Sequence, residues 1–199
     1  MRTNTVTHSR FIVRDKTTWA ANRQLTVYTF FLALIGPLLP HLRAELDLSY
    51  AAGALHTSAF AAGVILSGLL GEVLVERFGR RRAAQLALAG IGIGILLIAL
   101  APSAAVSIGS SAMMGLIDTL ILVVVPAVLA ERHGEARGLA FTEANIQPYL
   151  SALAAPLTVW CVVSMATWRA IFVPALVVLI ITVWQSGQSR SRSAVPRRP

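Results

Sequence analysis

Residues 119–130 read TLILVVVPAVLA, and residues 91–100 read IGIGILLIAL. Neither stretch alternates apolar and polar side chains, as a strand of a transmembrane barrel does. The composition points the same way, because 56% of the 199 residues are hydrophobic and 13% are charged, whereas soluble proteins carry about 25% charged residues. So few charges cannot coat a soluble core of this size. The chain is therefore predicted to be an all-α integral membrane protein.

Six apolar segments lie along the chain, and each except the last is near or above the roughly 20 residues that cross a bilayer. They cover about 25–42, 50–70, 83–101, 104–130, 139–163 and 170–184. Six transmembrane helices are predicted from them. The domain prediction is a basic cytoplasmic tail at 1–24, a six-helix bundle at 25–185 and a disordered basic cytoplasmic tail at 186–199.

Basic residues are concentrated in alternate connections between these segments. Fifteen of the seventeen Lys and Arg residues fall in the two terminal segments and in the second and fourth connections, while the opposite connections hold only Arg43 and Arg169. Because basic flanks stay on the cytoplasmic side, both termini are predicted to be cytoplasmic. The protein itself is predicted to lie in the inner (plasma) membrane. Topology thus explains the net charge of +8, and a nucleic-acid partner is not expected.

The connection between the second and third predicted helices, residues 71–82, reads GEVLVERFGRRR. Gly79 permits a turn with positive φ, and the arginines would contact carboxylates or lipid phosphates at the cytoplasmic surface. This segment resembles the signature loop of the major facilitator superfamily. The match is carried by Gly71, Glu76, Arg77, Gly79, Arg80 and Arg81.

Three further segments resemble landmarks of that family in the same order, namely 37–49 (PLLPHLRAELDLS), 132–138 (RHGEARG) and 167–172 (TWRAIF). The resemblance covers about residues 25–184. It implies the N-terminal half of a secondary transporter that holds a small solute between two six-helix bundles and works by alternating access. The identity of the solute is not implied.

The second bundle of the family has no counterpart in these 199 residues. A homodimer or a missing C-terminal half is therefore expected as the partner, besides the lipid bilayer. The alternative is a truncated or frame-shifted membrane remnant, or a partner-dependent subunit, with no transport activity of its own.

Departures from the family pattern limit what the resemblance implies. The signature glycine, Gly71, stands one place earlier than usual, because the position four residues before Glu76 is occupied by Glu72, and the signature acid itself, Glu76, is Glu rather than Asp. Ser111 stands four residues before Gly115, where many proton-driven members carry an arginine, and residues 151–158 lack the Gly-Pro pair of drug antiporters. Proton coupling through that arginine and drug/proton antiport are therefore not expected.

Two ionisable residues in the apolar segments are candidates for a solute or proton cavity, since polar groups buried in a membrane commonly mark functional sites. Asp118 lies about 14 residues, or about 21 Å, into the fourth segment. It is predicted either to bind solute or a proton, or else to make a structural hydrogen bond or to be an evolutionary relic. His56 in the second segment is predicted either to bind solute or titrate near neutral pH, or else to pack as a hydrogen-bonding residue.

A second set of candidates lies mainly on the fifth segment. Glu143, Gln147 and Ser151 recur every four residues and share one helix face. This stripe lines the cavity in one interpretation, and in the other Glu143 forms a salt bridge with a loop arginine. Asn145 and Tyr28 are further cavity candidates.

No enzyme motif occurs in the sequence: His-Glu-x-x-His, Gly-x-Ser-x-Gly and Walker-type loops are all lacking. Catalytic residues are therefore not expected, and neither a metal ion nor an organic cofactor is implied. Gly90, Gly92 and Gly94 in the third segment are predicted to allow the close approach of a neighbouring helix.

Overall fold

The computed structural model describes residue 12 and residues 14–188, with side chains as far as residue 184. Every regular element in these residues is helical. The α-helices are α1 (Lys16–Glu45), α2 (Tyr50–Phe78), α3 (Arg80–Ala99), α4 (Ala104–Asp118), α5 (Leu120–His133), α6 (Arg137–Met165) and α7 (Phe172–Gln188), with short 3-10 turns at Gly134–Ala136 and Trp168–Ile171. Residues 1–11 and 13 of the predicted N-terminal tail, and residues 189–199 of the predicted C-terminal tail, lie outside the described residues.

Local sequence signals mark the helix boundaries. Asp15 caps α1, since its carboxylate accepts a hydrogen bond from the backbone N–H of Thr18 at 2.9 Å. The helix consequently begins at Lys16, inside the segment assigned to the tail. Gly79 separates α2 from α3 with the predicted positive φ, at 79°. Gly134 ends α5 with φ 49°.

The predicted fourth helix is divided into two. Thr119 interrupts it between α4 and α5, and the backbone N–H of Leu122 donates to Thr119 O at 2.9 Å, which is a tighter i+3 bond. Pro126 follows in α5 and has no N–H to offer to the turn before it. The sequence prediction of one continuous helix over 104–130 missed this break.

In the part of the chain that the structure describes, four helical stretches are long and apolar enough to cross a membrane. They are Lys16–Glu45, Tyr50–Phe78, Arg80–Ala99 and the 62-residue stretch Ala104–Met165, which contains α4, α5 and α6. Trp168–Trp184 is a shorter apolar helix. The prediction of an all-helical membrane protein is confirmed at this level, and the number of crossings stays a prediction.

Contacts between the helices give them defined relative directions. Arg14 contacts Glu143, Ser151 contacts Thr26, and Trp168 contacts Glu45, so α1 and α6 run in parallel. The α2 and α4 helices also run in parallel, since His56 contacts Ser107 and Gly63 lies against Ala112. The α3 helix runs antiparallel to α4, because Gly90 lies against Asp118 and Gly94 against Met114.

These directions bring most described arginines to one end of the molecule. At this basic end, defined by the starts of α1, α3 and α6 and the end of α5, ion pairs join Arg14 to Glu143, Arg80 to Glu131 and Arg132 to Asp15. At the opposite end, Arg169 pairs with Glu45 and donates from Nε to Ala99 O at 2.6 Å. The asymmetry of charge read from the sequence is thus an asymmetry of the folded molecule.

The interior of the bundle is an apolar cluster contributed mainly by α1, α3, α5 and α7, with Leu34, Leu88, Ile91, Ile121 and Ile171 fully buried. Large apolar side chains are also exposed on the outside, most of all on α2 and α6. Leu69 is 71% exposed and Leu153 is 72% exposed. A water-soluble surface does not carry such contiguous apolar area, whereas a lipid-facing surface does.

Candidate functional site

Asp118 lies in the interior of the bundle at the last residue of α4, only 2% exposed. Its Oδ1 atom is buried, and within the described residues it has no hydrogen-bond partner. The side chain faces α3, where Gly90 leaves room for it. A carboxylate in such a place is costly unless it carries a proton or meets a cation. Asp118 is therefore the strongest candidate for a functional polar group.

Tyr28 and Thr119 are the polar neighbours of this aspartate. The Tyr28 hydroxyl on α1 lies 3.5 Å from Thr119 Oγ1, and both residues are buried. Thr119 is also the residue at which α4 and α5 separate. The predicted candidates Tyr28 and Asp118 thus lie in one region, beside a helix break that the sequence did not predict.

His56 forms a separate polar group nearer the opposite end. Its Nε2 atom lies 2.9 Å from Ser107 Oγ on α4, and its Nδ1 atom lies 3.1 Å from Ala52 O on its own helix. Both ring nitrogens therefore have partners, as the packing interpretation predicts. His56 and Ser111 also line a cavity of about 30 Å³, which is large enough for a water molecule.

Glu143 on α6 faces the start of α1, where Arg14 Nε donates to its Oε1 at 2.7 Å. This contact corresponds to the second interpretation of Glu143, a salt bridge with an arginine. The arginine is Arg14, which precedes α1 and does not lie in a loop between helices. Ser151 also faces α1, since its Oγ donates to Thr26 O at 3.2 Å. The face shared by Glu143 and Ser151 is therefore packed on α1.

Gln147 and Glu143 line a groove of about 180 Å³ between α1 and α6, together with Thr18 and Asn22. The Asn145 side chain donates from Nδ2 to Phe141 O of its own helix at 2.7 Å. The candidates other than Asn145 thus fall into three groups, around Asp118, His56 and Glu143. The structure does not bring these groups together in one cavity.

The signature-loop residues lie where α2 turns into α3. Gly71 is buried against α5, because a Cβ there would lie 2.9 Å from Val123 Cγ2. The guanidinium of Arg77 lies 6.0 Å from the Phe78 ring centroid, and Glu76 is exposed. Arg80 forms an ion pair with Glu131 on α5. Arg81 borders a cavity between α1, α3 and α5.

A polar cluster at the basic end was missed by the sequence analysis. Asp15 pairs with Arg132, and Thr18 Oγ1 lies 3.1 Å from Nε2 of the buried His133. Burial alone would raise the pKa of Asp15, but hydrogen bonds from Thr18 and the charge of Arg132 outweigh it and lower that pKa. The only local signal was the capping pattern Asp15-x-x-Thr18.

A second missed cluster joins α1 to the turn before α7 at the opposite end. Trp168 Nε1 donates to Glu45 Oε2 at 2.7 Å, and Arg169 pairs with the same carboxylate. The sequence showed each residue near a helix end but gave no sign that they meet. Within residues 12 and 14–188, no three His, Cys, Asp or Glu side chains are grouped closely enough to hold a metal ion.

The sequence model of the family described as Major Facilitator Superfamily matches residues 25–196, which is most of the chain. No curated protein matches the sequence. The matched region contains Asp118, His56 and Glu143 and the connection between α2 and α3.

Proposed function

This chain belongs to the Major Facilitator Superfamily, and we propose that it is the N-terminal six-helix half of a secondary transporter that moves a small solute across the plasma membrane by alternating access. The family match over residues 25–196 carries the proposal. In this proposal α4 and α5 together make the fourth crossing, and α1, α2, α3, α6 and α7 make the other five. Basic residues that flank membrane spans stay on the cytoplasmic side, so the basic end faces the cytoplasm and both termini are cytoplasmic.

Asp118 is the residue on which we propose that transport depends. Its carboxylate is buried among apolar side chains, with Oδ1 unpaired in the described part of the chain. In the low dielectric of the bundle, the charged form is stable only next to a cation. A proton or a cationic group of the solute fulfils this need, and its arrival or departure changes the charge beside the helix break at Thr119.

Transport by purified protein in lipid vesicles tests this proposal. Vesicles containing a trapped pH-sensitive dye are presented with radiolabelled sugars, amino acids and organic amines, and both solute uptake and internal pH are followed. We expect uptake of at least one class by the wild type and none by Asp118→Asn. Asp47→Asn makes the same chemical change at an exposed turn and should leave uptake intact. Equal uptake by Asp118→Asn and the wild type would contradict the role of this residue.

A second six-helix bundle is needed for alternating access. We propose that either a C-terminal half of the transporter or a second copy of the chain, oriented in the same way, supplies it, so that two bundles enclose one cavity. The competing candidate is a subunit that requires a different partner and does not transport by itself. The exposed apolar faces of α2 and α6 are where we propose that either partner packs, since these two helices expose more large apolar side chains than any other described helix.

Measurement of mass and activity together separates these two candidates. In mild detergent and after cross-linking in the membrane, a second copy as the partner would give a dimer of the chain. Vesicles that contain this chain alone should then transport. Monomers in both measurements would exclude the homodimer, and uptake by vesicles of the single species would exclude the partner-dependent subunit.

A further inference from the structure

A cavity of about 250 Å³ lies at the basic end between the start of α1, the start of α3 and the end of α5. Its rim carries polar side chains, including the exposed Thr17 and Gln85 and the half-buried Arg80 and Arg81. Its inner walls are apolar and are formed by Ala21, Ala84, Val124, Val125 and Val128. The cavity is therefore amphipathic, with cations outside and hydrocarbon inside.

The charges around this cavity are unbalanced. Residues 71–82 hold four arginines and two glutamates. Arg80 has an ion pair with Glu131, whereas Arg81 has no carboxylate within 4.0 Å among the described residues. The first turn of α3 carries no acidic residue, so its positive dipole end adds to the charge of the arginines. An anion at the rim would relieve this excess of positive charge.

We propose that this cavity binds an anionic phospholipid, with the headgroup phosphate at Arg81 and the first part of an acyl chain against the apolar walls. The basic end lies where the helices leave the bilayer, and basic pockets between transmembrane helices suit anionic headgroups. Arg81 offers a planar fork of donors that matches a phosphate. The apolar inner walls favour a lipid over a soluble phosphate, which has no hydrocarbon to place there. The inference needs only that the chain lies in a membrane, so it stands apart from the transport proposal.

Lipid-dependent thermal stability of the purified full chain tests the proposal. Phosphatidylglycerol, phosphatidylcholine or inorganic phosphate is titrated into detergent-solubilised protein, and the apparent affinity is obtained from the rise in melting temperature. Arg81→Gln removes the cavity cation. Arg82→Gln is the matched control, because Arg82 is the next residue, has the same charge and does not line the cavity. Arg81→Lys keeps the charge but loses the planar fork.

We expect phosphatidylglycerol to stabilise the wild type and Arg82→Gln with similar affinity, and to bind Arg81→Gln about ten-fold more weakly. Arg81→Lys should fall between them. Equal weakening by Arg81→Gln and Arg82→Gln would overturn the proposal, because the lipid would then act through general surface charge. Equal stabilisation by inorganic phosphate or by phosphatidylcholine would also overturn it. If Arg81→Gln does not fold, the order of Arg81→Lys relative to Arg82→Gln decides between the same outcomes.

Discussion

Asp118 packs directly against Gly90, with its Oδ1 atom 2.6 Å from the position that a Cβ on Gly90 would occupy. Ile117 Cγ2 lies at the same distance from that position. The glycine on α3 is therefore the reason that a buried carboxylate on α4 fits between the two helices. A side chain at position 90 would compete with the aspartate for this space.

Gly90→Ala should lower stability, because the new methyl group meets Ile117 and Asp118 within the packed interior. Overpacking of this kind costs about 1–3 kcal/mol. Gly109→Ala is the control, since a Cβ on Gly109 meets nothing within 4 Å, and it should be neutral or slightly stabilising. Thermal unfolding of both variants in detergent measures the difference. Equal melting temperatures for the two variants would contradict the prediction, because α3 and α4 would then have to separate without cost to accommodate the new methyl group.

Gly63→Ala should be more damaging, because its Cβ would overlap the backbone carbonyl of Ala112 and approach the backbone N of Leu116. Backbone atoms cannot rotate away as the end of a side chain can. A loss of about 3 kcal/mol corresponds to roughly 6–12 °C in melting temperature for a chain of this size. Gly68→Ala on the same helix, with no atom within 4 Å of the new Cβ, should melt as the wild type does. A smaller loss for Gly63→Ala than for Gly90→Ala would contradict the close approach of α2 and α4.

The helical segments could be predicted from the sequence because the apolar runs are long and are bounded by local signals. The positive φ of Gly79 followed from such a signal and is observed. The glycines of α3 were predicted to permit close packing, and Gly90 and Gly94 do face α4. Gly92 lies instead against Leu179 of α7. Residues four positions apart share a helix face, whereas a residue two positions away points to another side.

Contacts between distant residues could not be predicted in the same way. Glu143 and Arg14 are 129 positions apart, and Trp168 and Glu45 are 123 positions apart. Periodicity places Glu143 and Ser151 on one face of α6 but does not say which helix lies opposite. The grouping of the candidate residues depends on such pairings, so the sequence suggested candidates without showing which of them lie together.

Stability should fall in acid through the ion pair at the start of α1. Since the pKa of Asp15 is lower in the folded chain than its usual value, the carboxylate stabilises the fold above the unfolded pKa of about 3.9. That contribution is lost as the pH falls through the lower folded pKa. Asp15→Asn keeps an acceptor for the Thr18 N–H but removes the charge that pairs with Arg132. Its melting temperature should therefore depend less on pH between about 5 and 2 than that of the wild type, and identical curves would contradict the prediction.

Cysteine labelling in intact cells should show the basic end inside. The chain has a single cysteine, Cys161 on α6, so a Cys161→Ser background leaves engineered thiols as the only targets. Ser103 lies exposed just before α4, and its side chain makes no cap bond, so Ser103→Cys is a nearly isosteric reporter for the end opposite the arginines. Glu135→Cys reports the basic end, in the exposed turn before α6. Since basic flanks stay in the cytoplasm, a membrane-impermeant maleimide should label Ser103→Cys in intact cells and Glu135→Cys only after the membrane is opened. The reverse pattern would place both termini outside, and labelling of both variants in intact cells would contradict the separation of the two ends by a membrane.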